Sequence, residues 1–548
     1  MTVADTLSAR VERASARPGG TITFISGDTA TPVSWAALHD DARAMAAALQ
    51  ARGIGPGDHV ALLGPTTRPL VTAIQATWLA GAVLVVLPLP MRLGSIDEFV
   101  DQTRIRIGNA DAALLVIDPD LAAFYEPVPG DPPIVLLDDL RGAHRFEAPA
   151  VDPDALAVLQ FTSGSTADPK GVMLTHRQIL ANLDGAIAAA QVDPETDVLV
   201  SWLPLYHDMG LIGMLTIPFI TGADLVLAPP QDFLAAPGRW VEWMSRFGGT
   251  GTAGPNFSYA LAARSLRRAD NLDLSRWRVA LNGAEPIDPS SVRAFCEAGA
   301  PFGLSKGAAF PAFGMAELAI AGTFPVPGKG MQVDTVDRKI LETERYAAPV
   351  DTDRTDARSL AMLGSPIPGL EMRICDPESG SPMSEREVGE LELRGTSVTA
   401  GYYKRPDETA AAFHDGWLRT GDLAYTVDGQ LVVCGRIKDV IIVGGRNVFP
   451  EDIERAAAEV DGVRAGNVIA FGVQGRNGRE RLVVVAETKS DDPAPVRTAV
   501  ARKVSDAVGL PAGDVILVTP GSLPKTSSGK LQRSLCRSRY LTDALQPA

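Results

Sequence analysis

Strand-like runs rich in apolar and β-branched residues alternate with Ala-rich runs of helical pattern, and this alternation limits the possible folds more than any other feature. The clearest strand candidates are His59–Leu63, Ala82–Leu87, Ala155–Phe161, Asp197–Trp202, Asp224–Leu227 and Arg278–Leu281. Each is followed by a turn and a helical pattern, as Pro69–Leu79 follows the first strand. Because strands that alternate with helices pair in parallel, the pattern predicts an α/β fold with helix-covered, mostly parallel sheets.

The pattern changes near Gly364, where shorter β-like runs are separated by Asp, Pro and Gly turns. These runs are Leu370–Cys375, Gly389–Arg394 and Gln430–Cys434. They predict a small β subdomain that ends near residues 435–438. We therefore expect a large N-terminal domain over residues 1–437, built from two such sheets and this subdomain.

The remaining residues, 438–548, have the pattern of a compact unit of their own. Its predicted strands are Ala465–Phe471, Leu482–Glu487 and Asp514–Val518, and its predicted helices are Pro450–Glu459 and Ala494–Val508. This pattern predicts a small α+β C-terminal domain.

Composition excludes several classes of protein. The chain has 548 residues, 46% hydrophobic and 21% charged, which is ordinary for a folded protein with several cores. A net charge of −15 argues against a nucleic-acid partner, because such binding uses Lys and Arg to neutralise phosphates. The four cysteines form no CxxC pair, so we expect neither a zinc knuckle nor a disulfide framework.

The N-terminal residues contain no apolar core of signal-peptide length. The longest apolar stretches, such as Ala80–Pro90, are too short to span a bilayer. We therefore expect a cytoplasmic protein with no integral membrane segment, while peripheral contact with a membrane stays open.

Residues 161–171 read Phe-Thr-Ser-Gly-Ser-Thr-Ala-Asp-Pro-Lys-Gly and directly follow a predicted buried strand. The candidate ligands in this segment are Thr162, Ser163, Gly164, Ser165, Thr166 and Lys170. A polyphosphate needs hydroxyl and amide donors together with a cation, so the segment predicts a phosphate-binding loop. It lacks Walker A spacing, and a flexible Ser/Thr linker is the alternative.

This loop resembles the phosphate-loop motif TSGTTGxPKG of the acyl-activating, adenylate-forming superfamily, which includes adenylation domains, acyl-CoA synthetases and luciferases. It departs from that motif at Ser165 and Ala167. The residues Phe313-Gly314-Met315-Ala316-Glu317 resemble the next motif, YGxTE. The resemblance implies that Phe313 stacks on adenine and that Glu317 binds Mg²⁺, although Ala316 lacks the usual Thr hydroxyl.

Further motifs follow in the family's order across nearly the whole chain. Thr420-Gly421-Asp422 resembles the ribose-binding TGD, which implies that Asp422 accepts the ribose hydroxyls, with Arg436 beside them. Lys438 falls at the family's hinge position. The segment 524–530, Pro-Lys-Thr-Ser-Ser-Gly-Lys, resembles the PKTxSGK motif and implies that Lys530 is catalytic. A solvated lysine in a basic tail is the alternative.

Within the superfamily, residues 202–211, Trp-Leu-Pro-Leu-Tyr-His-Asp-Met-Gly-Leu, resemble a motif of fatty acyl-AMP ligases. The resemblance implies an acyl pocket or gate formed by His207, Asp208, Met209 and Gly210. A second loop, expected at the nucleotide after a predicted strand, contains Gly283, Ala284 and Glu285.

The neighbouring His207 and Asp208 also suggest general-base catalysis. A carboxylate substrate is already ionised at neutral pH, however, and needs no base. We therefore prefer a gating or pocket-wall role for His207, and a hydrogen-bonded structural histidine is the alternative.

Residues 327–360 are polar and too long for an ordinary connection. Fatty acyl-AMP ligases resemble this chain in having an insertion here. In that family the insertion is thought to restrain the C-terminal domain and to disfavour the use of CoA. A solvated surface loop is the alternative. The match is closest to the ligases that activate long-chain acyl groups for mycobactin-type siderophores.

The resemblance implies that the protein uses ATP and Mg²⁺ to convert a long-chain fatty acid into acyl-AMP. The acyl group then passes to the phosphopantetheine thiol of an acyl carrier protein. Three alternatives stay open at this point, namely an acyl-CoA synthetase, an amino-acid or aryl-acid adenylation enzyme, and an inactive nucleotide-binding regulator.

Overall fold

The computed structural model describes residues 5–89, 96–141, 145–162, 169–474, 480–526, 529–546 and 548. It confirms the predicted α/β architecture, with two large helix-covered sheets, a smaller β region and an α+β unit at the C-terminus. Within these ranges, no helix is long and apolar enough to cross a bilayer.

Two large sheets are built from the first thirteen strands. These strands are β1 (Thr21–Ser26), β2 (Thr29–Ser34), β3 (His59–Leu63), β4 (Val83–Val86), β5 (Leu114–Ile117), β6 (Ile134–Leu136), β7 (Leu156–Phe161), β8 (Gly171–Thr175), β9 (Val198–Ser201), β10 (Asp224–Leu227), β11 (Gly251–Gly254), β12 (Val279–Asn282) and β13 (Ala309–Pro311). One sheet has the order β6-β5-β3-β4-β7-β8, and the other has the order β13-β12-β11-β9-β10-β1-β2.

The helices around these sheets bury their apolar faces against the strands. They are α1 (Leu7–Ser15), α2 (Trp35–Gln50), α3 (Arg68–Leu79), α4 (Ile96–Asn109), α5 (Pro119–Ala122), α6 (His176–Ala190), α7 (Ile217–Thr221), α8 (Pro230–Ala235), α9 (Gly238–Arg246), α10 (Asn256–Leu266) and α11 (Pro289–Gly299). Local sequence fixes several of their ends. For example, α6 starts at a capping box formed by Thr175 and Gln178, which satisfies otherwise unpaired backbone amides.

In the two large sheets, strand pairing is parallel except in the two edge hairpins, β1–β2 and β7–β8. The helix expected after the strand at residues 155–161 comes one strand later, because β8 pairs antiparallel with β7 before α6 begins. The N–H of Thr162 donates to the carbonyl oxygen of Lys170 at 2.9 Å and joins the two ends of the loop. The predicted phosphate loop therefore connects two antiparallel strands.

The smaller β region follows directly. Its strands are β14 (Phe313–Gly314), β15 (Ala321–Phe324), β16 (Val333–Asp337), β17 (Ala357–Ala361), β18 (Ser365–Pro366), β19 (Leu370–Cys375), β20 (Gly389–Gly395), β21 (Phe413–His414), β22 (Trp417–Val427) and β23 (Gln430–Arg436). Strands β19, β20, β22 and β21 form a sheet in that order, with β23 paired to β22. Its helices are α12 (Arg338–Glu344) and α13 (Pro406–Ala412).

The alternative of a solvated surface loop at residues 327–360 is wrong. This stretch contains β16, α12 and β17, and the two strands pair antiparallel. Val336 and Leu341 are buried with Tyr425 and Phe449 in one apolar cluster. The few apolar residues of the stretch are therefore enough to pack it against its neighbours, although charged residues dominate its sequence.

The C-terminal unit contains a three-stranded sheet with helices packed on it. Its elements are β24 (Ile441–Val443), β25 (Arg446–Val448), α14 (Pro450–Ala458), β26 (Val463–Gln474), β27 (Glu480–Thr488), α15 (Pro493–Val508), β28 (Asp514–Val518) and α16 (Arg533–Leu541). The helix α15 buries Val496, Val500, Val504 and Val508, one residue per turn, against the sheet. The domain boundary at Lys438 stays a prediction.

Candidate active site

Lys530 lies in the loop before α16, where a tight turn fixes its backbone. The N–H of Thr526 donates to the carbonyl oxygen of Lys530 at 2.8 Å, and the Lys530 N–H donates to Thr526 Oγ1 at 3.1 Å. Burial lowers the pKa of Lys530, while the charges of Asp208 and Glu285 act in the opposite direction. These surroundings are not those of a solvated basic tail.

His207 and Asp208 follow β9 at the start of a π-helix over Met209–Thr216. Their Nδ1 and Oδ1 atoms are 2.5 Å apart, and Asp208 Oδ1 also accepts the N–H of Met209 at 2.8 Å. Burial alone would raise the pKa of Asp208, but His207, Lys530 and this amide outweigh it and lower the pKa. The charge of Lys530 therefore helps to keep Asp208 ionised. His207 is held against Asp208, which is compatible with either a gate or a structural histidine.

Gly210 lies inside the same π-helix, at a position where neighbouring backbone leaves no room for a side chain. A Cβ at this position would lie 2.2 Å from the carbonyl oxygen of Pro204, so a side chain cannot fit without moving the backbone. The close approach fixes the segment that carries His207 and Asp208. π-Helical turns often mark functional sites.

The loop Gly283-Ala284-Glu285 follows β12, as predicted. Ala284 has φ 70°, a left-handed conformation that L-residues seldom adopt. Glu285 Oε1 accepts the N–H of Phe257 at 2.8 Å. Burial raises the pKa of Glu285, although the Phe257 amide and the charge of Lys530 act against this rise. The loop thus brings a second carboxylate to Lys530.

The predicted adenine-binding segment starts in β14 with Phe313. At Gly314 a Cβ would lie 2.0 Å from the carbonyl oxygen of Ile320, so only glycine fits. The N–H of Met315 donates to the same oxygen at 2.9 Å. Ala316, which is 8% exposed, then begins the 3₁₀ turn that presents Glu317.

Glu317 is also only 8% exposed, and it is held from two sides. Its Oε1 accepts the hydroxyl of Tyr402 at 2.9 Å, and its carbonyl oxygen accepts the N–H of Thr399 at 2.8 Å. Burial raises the pKa of Glu317, and Tyr402 and Arg436 offset this rise only in part. A cation beside this carboxylate would stabilise its charged form.

Asp422 and Arg436 are paired residues of β22 and β23, and Arg436 Nε lies 3.0 Å from Asp422 Oδ1. Burial raises the pKa of Asp422 and Arg436 opposes it, while Asp422 raises the pKa of Arg436. Lys438 lies two residues further on, in the 3₁₀ turn Ile437–Asp439, where burial lowers its pKa. The predicted ribose carboxylate and the predicted hinge are therefore neighbours.

The phosphate loop is described at its two ends, Thr162 and Lys170. Its predicted ligands Ser163, Gly164, Ser165 and Thr166 lie outside the described residues. Lys170 Nζ lies 4.7 Å from the centroid of the Tyr402 ring, which is within cation–π distance.

Electrostatic contacts link these predicted residues into one site. Lys530 interacts with Asp208, Glu285 and Arg436. Glu317 interacts with Asp208 and Arg436. Lys170 is linked to the same group through Tyr402, whose hydroxyl bonds to Glu317.

Tyr402, which is not among the predicted site residues, touches both Lys170 and Glu317. Its sequence context, Gly401-Tyr402-Tyr403, lies outside the motifs that carry the resemblance. A tyrosine between the predicted metal and ribose motifs was the only available indication.

Glu317 is the residue whose chemistry fits the predicted Mg²⁺. Among the described residues, no cluster of three or more His, Cys, Asp or Glu could hold a metal ion. Mg²⁺ typically takes one or two protein carboxylates and completes its shell with water and substrate phosphates. The buried carboxylate of Glu317 fits this requirement.

Comparison with known proteins agrees with this geometry. Residues 11–403 match the AMP-binding enzyme family. The long-chain-fatty-acid–AMP ligase FadD26 of Mycobacterium marinum is 34% identical, over 97% of this chain and 96% of its own. The medium-chain-fatty-acid–[acyl-carrier-protein] ligase JamA of Moorena producens is 31% identical, over 99% of this chain and 96% of its own.

A solved structure from a study of fatty acyl-adenylate ligases of E. coli and L. pneumophila superposes with a TM-score of 0.91. Its sequence is 31% identical, and the match covers 98% of both chains. The chain therefore belongs to the AMP-binding enzyme family, and these relatives confirm its predicted resemblance to fatty acyl-AMP ligases.

Proposed function

We propose that this protein activates a long-chain fatty acid with ATP, releases pyrophosphate, and transfers the acyl group from acyl-AMP to the phosphopantetheine thiol of an acyl carrier protein. The observation that carries the proposal is the pair of buried carboxylates that the motifs predict, with Glu317 bonded to the Tyr402 hydroxyl at 2.9 Å and Asp422 paired with Arg436 at 3.0 Å. The charge of Lys530 interacts with Asp208 and Glu285. The names of the relatives FadD26 and JamA support a fatty acid as the substrate and a carrier protein as the acyl acceptor. The siderophore pathway and the cytoplasmic location stay predictions from the sequence.

In the first step the fatty carboxylate attacks the α-phosphorus of ATP and pyrophosphate leaves. Such a reaction needs alignment and charge stabilisation more than covalent help. Lys530 places its positive charge where the carboxylate and the α-phosphate meet. Lys170 steadies the outer phosphates, and Asp422 accepts the ribose hydroxyls.

Glu317 is the residue that would hold Mg²⁺, which neutralises phosphate charge when bound. Phe313 lies in the segment that receives adenine. His207 needs no role as a base, because the attacking carboxylate is already ionised. Its hydrogen bond to Asp208 suits a gate beside the acyl chain.

A small pocket next to this gate is lined mainly by apolar side chains, among them Leu70, Val86, Leu89, Leu205 and Tyr206. Tyr206 immediately precedes His207, so the pocket and the predicted gate belong to one segment. The proposal that the acyl chain enters beside His207 is consistent with these apolar surroundings.

In the second step the C-terminal unit rotates about Lys438 to admit the carrier thiol. The inserted unit of residues 327–360 resists this rotation through two buried ion pairs. Glu342 of α12 pairs with Arg446 of β25, and Arg358 of β17 pairs with Asp452 of α14 through Arg358 Nε and Asp452 Oδ2 at 2.8 Å. Both partners beyond Lys438 would move with the rotating unit.

The contacts of Arg358 show how firmly the insertion is joined. The Arg358 side chain is 3% exposed, donates to the carbonyl oxygen of Cys434 at 2.9 Å, and lies 4.3 Å from the centroid of the Phe449 ring. Separating a buried ion pair costs several kcal/mol unless water replaces each partner. The insertion therefore favours, as the acyl acceptor, a carrier protein that can drive the rotation of the C-terminal unit. It disfavours free CoA in that role.

Lys530→Ala should slow acyl-AMP formation by at least ~10²–10³-fold, because it removes a charge that acts where negative charge develops. Fatty-acid-dependent pyrophosphate exchange measures this step. Lys503→Ala is a matched control, since Lys503 is a surface lysine paired with Glu459. Exchange at the wild-type rate in Lys530→Ala would contradict the assignment.

Lys438→Pro should leave acyl-AMP formation near the wild-type rate and impair transfer to the carrier, because proline restricts the φ change that a hinge requires. Single-turnover assays that start from ATP, or from preformed acyl-AMP, separate the two steps. Equal loss in both assays would reject the hinge role.

Glu342→Gln should raise acyl transfer to CoA about tenfold, because a charge-assisted contact of about 1.5–3 kcal/mol no longer holds the closed arrangement. Acyl-CoA formation from preformed acyl-AMP measures the effect. Glu371→Gln is the control, since it breaks an exposed ion pair with Arg394. Unchanged CoA transfer in Glu342→Gln would show that this pair does not restrain the C-terminal unit.

A further inference from the structure

Tyr402 connects two parts of the site that are far apart in sequence. Its aromatic ring faces Lys170 Nζ at 4.7 Å from the ring centroid. Its hydroxyl donates to Glu317 Oε1 at 2.9 Å. One side chain therefore touches the cation of the phosphate loop and the carboxylate assigned to the metal.

The backbone around Tyr402 is fixed to β8, the strand that follows the phosphate loop. Tyr402 forms a bridge with Val172, and the next residue, Tyr403, donates its N–H to the carbonyl oxygen of Gly171 at 2.8 Å. The Tyr402 N–H also donates to Thr409 Oγ1 at 2.9 Å. Tyr402 thus has little freedom to move relative to the loop.

A second set of bonds fixes the same segment to the Glu317 turn. The N–H of Thr399 donates to the carbonyl oxygen of Glu317 at 2.8 Å, and Thr399 Oγ1 donates to the carbonyl oxygen of Met173 at 2.6 Å. Residues 399–403 therefore join β8 to the Glu317 turn through hydrogen bonds to the main chain of both elements. The Tyr402 side chain extends this connection to the two charged groups themselves.

The two contacts have different physical effects. A hydroxyl that donates to a carboxylate limits how that carboxylate turns, and loss of such an outer partner typically costs 10–100-fold in metal affinity. An aromatic face attracts a nearby ammonium group, which restricts its position before phosphate arrives.

We propose that Tyr402 is a positioning residue that fixes the Lys170 ammonium group and the Glu317 carboxylate relative to each other. It thereby couples binding of the ATP triphosphate to binding of Mg²⁺. The proposal rests on the proposed function in that it takes Lys170 as a phosphate ligand and Glu317 as the metal ligand. Tyr402 itself contacts neither reacting atom in this account.

The test separates the hydroxyl from the ring. Tyr402→Phe removes only the hydrogen bond to Glu317, and Tyr402→Leu also removes the aromatic face. Calorimetric titration with a non-hydrolysable ATP analogue, with Mg²⁺ or with EDTA, measures binding without turnover. Thermal unfolding of each variant verifies that it is folded.

Tyr402→Phe should bind the analogue in EDTA like the wild type, but lose about tenfold or more of the affinity gained from Mg²⁺. Tyr402→Leu should show this loss and also bind the metal-free analogue about threefold or more weakly. Wild-type Mg²⁺ dependence in Tyr402→Phe would overturn the proposal. Equal weakening of that variant with and without Mg²⁺ would do so too.

Tyr403→Phe is the matched control, because it removes a hydroxyl that donates to Asp111 at 2.9 Å, outside the residues assigned to the site. It should behave as the wild type in every titration. Glu317→Gln distinguishes the two levels of the argument. If Glu317→Gln keeps full Mg²⁺ dependence, the assignment of Glu317 as the metal ligand fails, and the proposed function fails with it on this point. If Glu317→Gln loses the Mg²⁺ dependence while Tyr402→Phe keeps it, only the inference about Tyr402 fails.

Discussion

The ammonium group of Lys530 comes from the C-terminal unit, whereas the carboxylates that face it come from loops of the large sheets. The charges of Asp208 and Glu285 oppose the lowering of the Lys530 pKa by burial, and so favour the charged ammonium group. Asp208 is placed by β9 and the π-helix after it, and Glu285 is placed by β12. The position of Lys530 therefore depends on where these strands end.

The C-terminal unit is joined to the rest of the chain mainly through charges. Its two apolar clusters contain only residues from 441 onward, so its core is its own. The contacts across the proposed hinge include the pairs Glu342–Arg446 and Arg358–Asp452, with Phe449 among the few apolar contributors. An interface of this kind can separate into water without exposing a large apolar core. The proposed alternation between adenylation and transfer needs that property.

Much of the fold could be predicted from the sequence because local signals agreed with tertiary packing. The strands at residues 59–63, 224–227, 370–375 and 514–518 are observed at the predicted bounds, since each is an apolar run bounded by turns. The antiparallel pairing of β8 with β7 was not predicted. It is set by contacts between the two strands, which periodicity does not reveal.

The candidate site was predictable where a motif carries the chemistry, and the structure brings Lys530, Asp208, Glu317 and Arg436 into one electrostatic group. Tyr402 was not predictable, because its importance comes from two contacts across more than eighty residues of sequence. The fold of residues 327–360 could not be predicted either, because it too depends on contacts that are distant in sequence. Its few buried apolar residues have partners elsewhere in the chain, and its many charges suggested a loop.

The most direct test of this account is mass spectrometry of the products formed from ATP and a panel of fatty acids, followed by addition of CoA or of a phosphopantetheine-bearing carrier protein. The account predicts that acyl-AMP accumulates with long-chain acids, persists when CoA is added, and is consumed when the carrier is added. Rapid and complete conversion to acyl-CoA would contradict the proposed endpoint. Absence of acyl-AMP with every acid would contradict the central claim.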